Sequence, residues 1–177
     1  METTPMTGSE TSHAGFSVAP MTADLLPSVV ALEKECDLNS RGLEGYRNML
    51  SKPTSVLLVA LAPISLIDPD ISISPISSIS PNRVIGVFSG DVIVDELQID
   101  NLAVSERWRR RGIGRMLLRS ALSMAASLGA RTVALEVRSA NASARAFYEN
   151  EEFTPVGLRK QYYADPPDDA LLLSREI

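Results

Sequence analysis

A chain of 177 residues, 45% hydrophobic and 22% charged, is long enough for one compact core and falls within the usual span of a single domain. Its apolar runs break well before the ~20 residues that a membrane span requires, so wholesale disorder and transmembrane anchoring drop out and a soluble globular protein is expected. The single cysteine, Cys36, cannot close an internal disulfide, and no spaced Cys/His set suggests zinc, so no metal and a cytoplasmic setting are expected. The net charge of −5 hides an asymmetry: residues 1–100 carry 5 Lys+Arg against 13 Asp+Glu, and residues 101–177 carry 12 against 9. Six arginines fall between Arg107 and Arg119 with no acid among them, a local field suited to an anion, while the acidic remainder suits a cationic partner.

The first residues carry only Glu2 and Glu10 as charges before Asp24, without the cationic start of a targeting signal. Residues 1–15 are expected to form a disordered tail, and the only histidine, His13, lies there, where no third group would hold it as a triad base. Residues 16–177 are expected to form one domain. Phe16–Val18 suits a short strand. Leu25, Val29, Leu32 and Cys36 then recur at helical spacing, with Asp24 or Thr22 as cap. A second helix from Ser40 presents Leu43, Tyr46, Arg47 and Leu50 and stops before Pro53. Val56–Ala62 suits a buried strand.

Residues 63–81 hold prolines at 63, 69, 75 and 81 around isoleucine and serine. An expanded loop inserted between two strands fits better than a solenoid, whose repeats need stacked neighbours. Strand character returns at Val84–Phe88, passes a Ser89-Gly90-Asp91 turn into Val92–Val94, and resumes over Glu96–Val104 as an antiparallel meander. From Gly112 the period becomes helical, with Ile113, Met116, Leu117, Ala121, Met124 and Leu128 on one face and Gly129 as the stop. Thr132–Arg138 alternates as a strand with Val133, Leu135 and Val137 on one side and Ala134 and Glu136 on the other. Asn141 caps a helix through Asn150. Thr154–Leu158 and Ala170–Ser174 close the chain as a strand pair joined by the segment around Tyr162 and Tyr163.

Arg109-Arg110-Arg111-Gly112-Ile113-Gly114 follows a strand and opens a helix, where free backbone N–H groups and the helix dipole bind anions such as pyrophosphate. No Gly-Lys-Ser/Thr follows and the third glycine of a dinucleotide fingerprint is absent. An ordinary glycine-relieved turn with solvated arginines is the alternative. Nucleic acid fits less well, since the chain is acidic and no aromatic platform interleaves the arginines.

Leu97 to Val104, then Trp108-Arg109-Arg110-Arg111-Gly112-Ile113-Gly114-Arg115-Met116-Leu117-Leu118, resembles the signature block of the GNAT superfamily of acetyl-CoA-dependent N-acetyltransferases. Leu135-Glu136-Val137-Arg138-Ser139-Ala140-Asn141-Ala142-Ser143-Ala144 with Phe147-Tyr148-Glu149, together with Arg159-Lys160-Gln161-Tyr162-Tyr163 and Asp168-Asp169-Ala170, resembles its RimI branch, the ribosomal protein alanine N-acetyltransferases. The close resemblance covers about residues 95–175.

The resemblance implies an α+β fold with a mostly antiparallel central sheet flanked by helices. It implies acetyl-CoA as co-substrate, with Leu102, Ala103 and Val104 on the pantetheine arm, Arg109, Arg110, Arg111, Gly112, Ile113, Gly114 and Arg115 around the pyrophosphate, and Asn141 against the cofactor. It further implies Glu136 as general base and Tyr148 as general acid. A surface glutamate and a core tyrosine are the bland alternatives. The partner implied is a protein or peptide N-terminus, a basic ribosomal protein among the candidates. Transfer to a small-molecule amine or lysine, or a non-catalytic acyl-CoA sensor, are the rival functions. Two departures stand out. Glu151-Glu152 replaces the branch's Leu-Gly, so a distorted turn is expected, and Cys36-Asp37-Leu38-Asn39-Ser40 replaces its proline-tryptophan pair near the acceptor pocket.

Overall fold

Among the described residues, seven strands form one sheet in the order β1-β2-β3-β4-β5-β7-β6. They are β1 (Ser17–Pro20), β2 (Ser55–Pro63), β3 (Asn82–Ile93), β4 (Glu96–Val104), β5 (Thr132–Arg138), β6 (Thr154–Ala164) and β7 (Pro167–Glu176). The computed structural model describes residues 15–38, 40–63 and 82–177. The expected tail up to Ala14 and the loop over 64–81 lie outside the described residues.

Among the same described residues, four α-helices cover the sheet: α1 (Leu26–Glu35), α2 (Gly42–Leu50), α3 (Ile113–Ser127) and α4 (Ala142–Asn150). Every strand pairing is antiparallel except β4 with β5. That exception follows from α3, whose length carries the chain back to the starting edge as a parallel crossover requires. One core layer joins Ile113, Leu117, Leu118 and Ala121 of α3 to Leu97, Val133, Leu135 and Val137 of the sheet. The other layer packs Leu26, Val29 and Leu32 of α1 and Tyr46 and Met49 of α2 against Leu57, Val59 and Val87.

The β4–β5 ladder is short. It runs from Glu96↔Thr132 to Ile99↔Leu135 and stops, while β4 continues to Val104 on β3 and β5 to Arg138 on β7. The two strands therefore fork, which opens a cleft in the middle of the sheet.

Local expectations are corrected at several points. Ser89-Gly90-Asp91 is no turn: β3 runs through it, and the register jumps from Ser89↔Asn101 to Gly90↔Ile99, which leaves Asp100 of β4 as the extra residue of a β-bulge. A Cβ on Gly90 would meet the Gln98 carbonyl oxygen at 2.5 Å, so the glycine serves close strand approach. Neither Thr22 nor Asp24 caps a helix; a 3-10 turn over Ala23–Leu25 leads into α1 with no side-chain cap bond. The final strands are longer than expected and absorb Tyr162 and Tyr163. Leu43 and Leu128 are exposed, so the buried helix faces are centred on Tyr46–Met49 and on Leu117–Ala121.

The turn after α4 is regular. Glu152 adopts φ +66°, and bonds from Glu152 N to Glu149 O and from Phe153 N to Tyr148 O, both 3.0 Å, complete a Schellman motif with glutamate in the usual glycine place.

Candidate active site

Beyond the fork, β4 exposes main-chain groups that no strand satisfies. Ser105 N–H donates to Ile85 O at 2.9 Å, so by antiparallel alternation Ala103 also spends its N–H and C=O on β3, while Leu102 and Val104 direct theirs toward the fork. The Val104 carbonyl accepts Arg109 Nε at 3.1 Å and lies 3.7 Å from Cys36 Sγ. Of the three residues expected on a pantetheine arm, Leu102 presents both main-chain groups and Val104 its N–H, the Val104 carbonyl being taken by Arg109, while Ala103 presents only its side chain.

The arginine bend follows directly. Arg109 N–H bonds to Glu106 O, and then the N–H groups of Arg110, Arg111, Gly112, Ile113, Gly114 and Arg115 have no partner among the described residues. Arg110 at φ +64° and Gly112 at φ +80° turn successive amides into a concave row, and α3 adds the positive end of its dipole. A Cβ on Gly114 would stand 3.7 Å from the Phe147 ring and 3.8 Å from Val104, so the missing side chain keeps open the space between the helix start and the end of β4. The guanidinium groups differ in use. Arg111 stacks on Trp108 at 5.0 Å, and Arg115 is engaged by Glu151, so its backbone N–H is what it offers the bend.

A cavity of about 1260 Å³ occupies the fork. Leu102, Glu136, Asn141 and Tyr148 line it; Ala103, Val104 and the bend 109–115 do not. Tyr148 enters from the α4 core layer, packed edge-on against Phe147 and Phe153 at 5.1 and 5.2 Å. Burial pushes its hydroxyl well above the ordinary tyrosine range. Glu136 enters from the opposite face, because Val133, Leu135 and Val137 take the core side. Its carboxylate accepts Arg159 Nη1 at 3.0 Å, and the proximity of this carboxylate raises the Tyr162 hydroxyl. Asn141 Oδ1 caps α4 by accepting Ala144 N–H at 3.0 Å, and its amide nitrogen has no partner among the described residues.

Sequence reading missed the wall of the cavity on the α1–α2 side. Glu33 is fully buried, and its carboxylate accepts Tyr46 Oη at 2.6 Å, Ser40 Oγ at 2.8 Å and Asn101 Nδ2 at 3.2 Å. Burial, then this carboxylate, push the Tyr46 hydroxyl far up. Beside the network, Arg41 meets Asp100 at 2.6 Å, and burial raises the Asp100 carboxyl against the opposing pull of Arg41. A charge within the apolar stripe of α1 was the available signal for Glu33; the Asp100 bulge was legible only as a skipped beat in the apolar alternation.

Residues 68–153 match the family model described as Acetyltransferase (GNAT) family. A [ribosomal protein bS18]-alanine N-acetyltransferase of Salmonella typhimurium is 39% identical over 88 residues, 49% of this chain and 60% of that protein. Its Escherichia coli K12 counterpart is 36% identical over the same shares. The chain thus spans somewhat more than half the length of these relatives. Among solved structures, the Escherichia coli ribosomal-protein-S18-alanine N-acetyltransferase superposes with TM-score 0.72 at 21% identity, over 92% of this chain and 94% of that one. Arabidopsis thaliana NAA60 in complex with acetyl-CoA superposes with TM-score 0.76 at 17% identity, over 92% and 98%. These likenesses establish the fold.

Proposed function

From the premise that the chain carries a domain of the GNAT acetyltransferase family, we propose that it acetylates the N-terminal α-amine of a protein with acetyl-CoA, a cytoplasmic ribosomal protein being the first candidate, as in the relatives' names. The single observation that carries this reading is the row of unpartnered amides from Arg110 to Arg115 beside a fork that holds both a carboxylate and a buried phenol. The row and the space at Gly114 suit the pyrophosphate of CoA, and the main-chain groups of Leu102 with the N–H of Val104 suit its amide-bearing arm.

Bound acetyl-CoA supplies the acetyl group as a thioester. Glu136 takes the proton from the attacking amine, directly or through water. The amides near Leu102 and Val104 stabilise the negative charge that develops on the carbonyl oxygen. Tyr148, kept protonated by burial, returns a proton to the sulfur as the C–S bond breaks. The new bond is the N–C bond of the acetylated terminus, and no covalent acyl-enzyme is required. An α-amine titrates near 7.7–8 against about 10.4 for lysine, so its neutral form is less costly by roughly 3–4 kcal/mol.

Calorimetry with acetyl-CoA, followed by mass spectrometry of peptides with free and blocked N-termini, tests the reading. Saturable binding and acetylation of free N-termini alone are expected. Flat heats, or equal modification of blocked peptides through lysine, overturn it.

A further inference from the structure

The ladder between β4 and β5 ends at Ile99↔Leu135, and the next residue of each strand is a carboxylate: Asp100 and Glu136. Each is covered by an arginine from a different wall of the cavity, Arg41 from the α1–α2 connection and Arg159 from β6. Both pairs line the same opening. Glu136 has a role in the proposed reaction; Asp100 and Arg41 have none.

The second pair is a built feature. Glu33 braces it from beneath on both sides, holding Ser40, the residue before Arg41, and Asn101, the residue after Asp100. The bulge at Asp100 removes that residue from the β3 register and re-aims its side chain. Asp100 is 28% and Arg41 37% exposed at the side chain, so water and a ligand reach both.

The balance of charge in the cavity selects the ligand. Asp37, Glu96, Asp100 and Glu136 line it against Arg41, Arg138 and Arg159. Arg138 is already committed, donating to the carbonyls of Pro166 and Asp165 at 2.8 Å each and stacking on Tyr163 at 4.1 Å. A surplus of carboxylate remains. Neighbouring strands are about 4.8 Å apart where they pair, and an extended peptide advances about 3.3–3.6 Å per residue. Asp100 and Glu136 stand one residue beyond the last pair, where the strands begin to diverge, so an α-amine at Glu136 directs the next side chain of the acceptor toward Asp100, and a long basic side chain adds its own length to that reach.

Resting on the transferase reading above, we propose that Asp100 is a specificity-determining residue that binds a basic side chain at the second position of the acceptor peptide, with Arg41 the intramolecular cation that holds the site when no such side chain is present. The acceptor cation shares or replaces the Arg41 contact, so removal of Arg41 strengthens the preference and removal of the Asp100 charge abolishes it.

The experiment uses the full chain and a peptide series identical except for Arg, Lys, Gln or Glu at the second residue, with kcat/KM measured for each. Wild type is expected to favour Arg and Lys over Gln by about fivefold, the upper range for a half-exposed ion pair, with the difference in KM and a loss at high salt. Asp100→Asn should bring the Arg/Gln ratio close to one, and Arg41→Gln should raise it above wild type. A wild-type ratio near one, or a preference that Asp100→Asn retains, overturns the proposal and leaves the transferase reading intact. Failure to acetylate any peptide, with intact folding by circular dichroism, overturns both.

Discussion

Arg115 donates its Nε to the carboxylate of Glu151, a residue 4% exposed, while Arg119 approaches the second oxygen at 3.7 Å. A glutamate where the family branch carries an apolar residue is thereby accommodated: α3 reaches across to neutralise it, and Arg175 secures its carbonyl at 2.7 Å. Removing one partner of a buried carboxylate costs more than replacing the carboxylate itself. Arg115→Ala should lower unfolding free energy by about 1–3 kcal/mol, whereas Glu151→Leu should leave it unchanged or raise it. Urea denaturation of the two variants checks the asymmetry; equal losses would show that the ion pair does not govern the turn.

Glu152 occupies a left-handed conformation at φ +66°, and its carboxylate reaches Arg175 only at 4.0 Å while 85% exposed. The contact is screened and weak, so strain dominates. Glu152→Gly should stabilise the protein by about 1 kcal/mol, since a non-glycine residue in that region costs roughly 1–2 kcal/mol, offset in part by the larger unfolded-state entropy of glycine. A rise in thermal midpoint is expected, and a fall would place the contact to Arg175 above the strain.

The elements of the sheet and helices were legible because each follows one period: Val133, Leu135 and Val137 by twos, Ile113, Leu117 and Ala121 by helical steps. The bulge was written there too. Leu97 and Ile99 face α3, and so do Leu102 and Val104, a parity change that only an extra residue at Asp100 allows. Periodicity says nothing about which charged side chains meet, so Arg41–Asp100, Arg159–Glu136 and the Glu33 network, whose members lie from 7 to 68 residues apart, emerged only from the packing of separate segments. The fork likewise has no local signature: it follows from β4 and β5 ending their pairing early, a long-range event.

Gly112 and Gly114 look alike in the sequence and differ in the fold. Nothing lies within 4 Å of a Cβ on Gly112, but its φ of +80° penalises any side chain, so Gly112→Ala should cost about 1–2 kcal/mol of stability. Gly114 has helical backbone and only ordinary contacts for a Cβ, so Gly114→Ala should fold at least as well as wild type. Its methyl group would fill the space beside the free amides, and acetyl-CoA affinity should drop about tenfold, or 1.4 kcal/mol. Calorimetry paired with melting curves separates the two effects; unchanged affinity in Gly114→Ala would remove the bend from the cofactor site.

All four tyrosines titrate above the ordinary value, Tyr148 through burial alone and Tyr46 through burial followed by its bond to Glu33. A hydroxyl held protonated in the folded state but free to ionise near pH 10 once unfolded stabilises the fold fully below that pH and loses its contribution as pH rises further. Stability should therefore be insensitive to Tyr46 and Tyr148 up to about pH 10 and then fall, by as much as about 1.4 kcal/mol per pH unit for each of these two buried tyrosines. Urea midpoints measured across the alkaline range should decline less steeply in Tyr148→Phe, while ultraviolet titration should show Tyr46 and Tyr148 ionising only with unfolding. The same burial keeps Tyr148 protonated, as the proposed donor role requires, so on that proposal the transfer rate should show no loss from its ionisation below about pH 10. An alkaline limb near pH 8 that vanishes in Tyr148→Phe would contradict both the burial and the role.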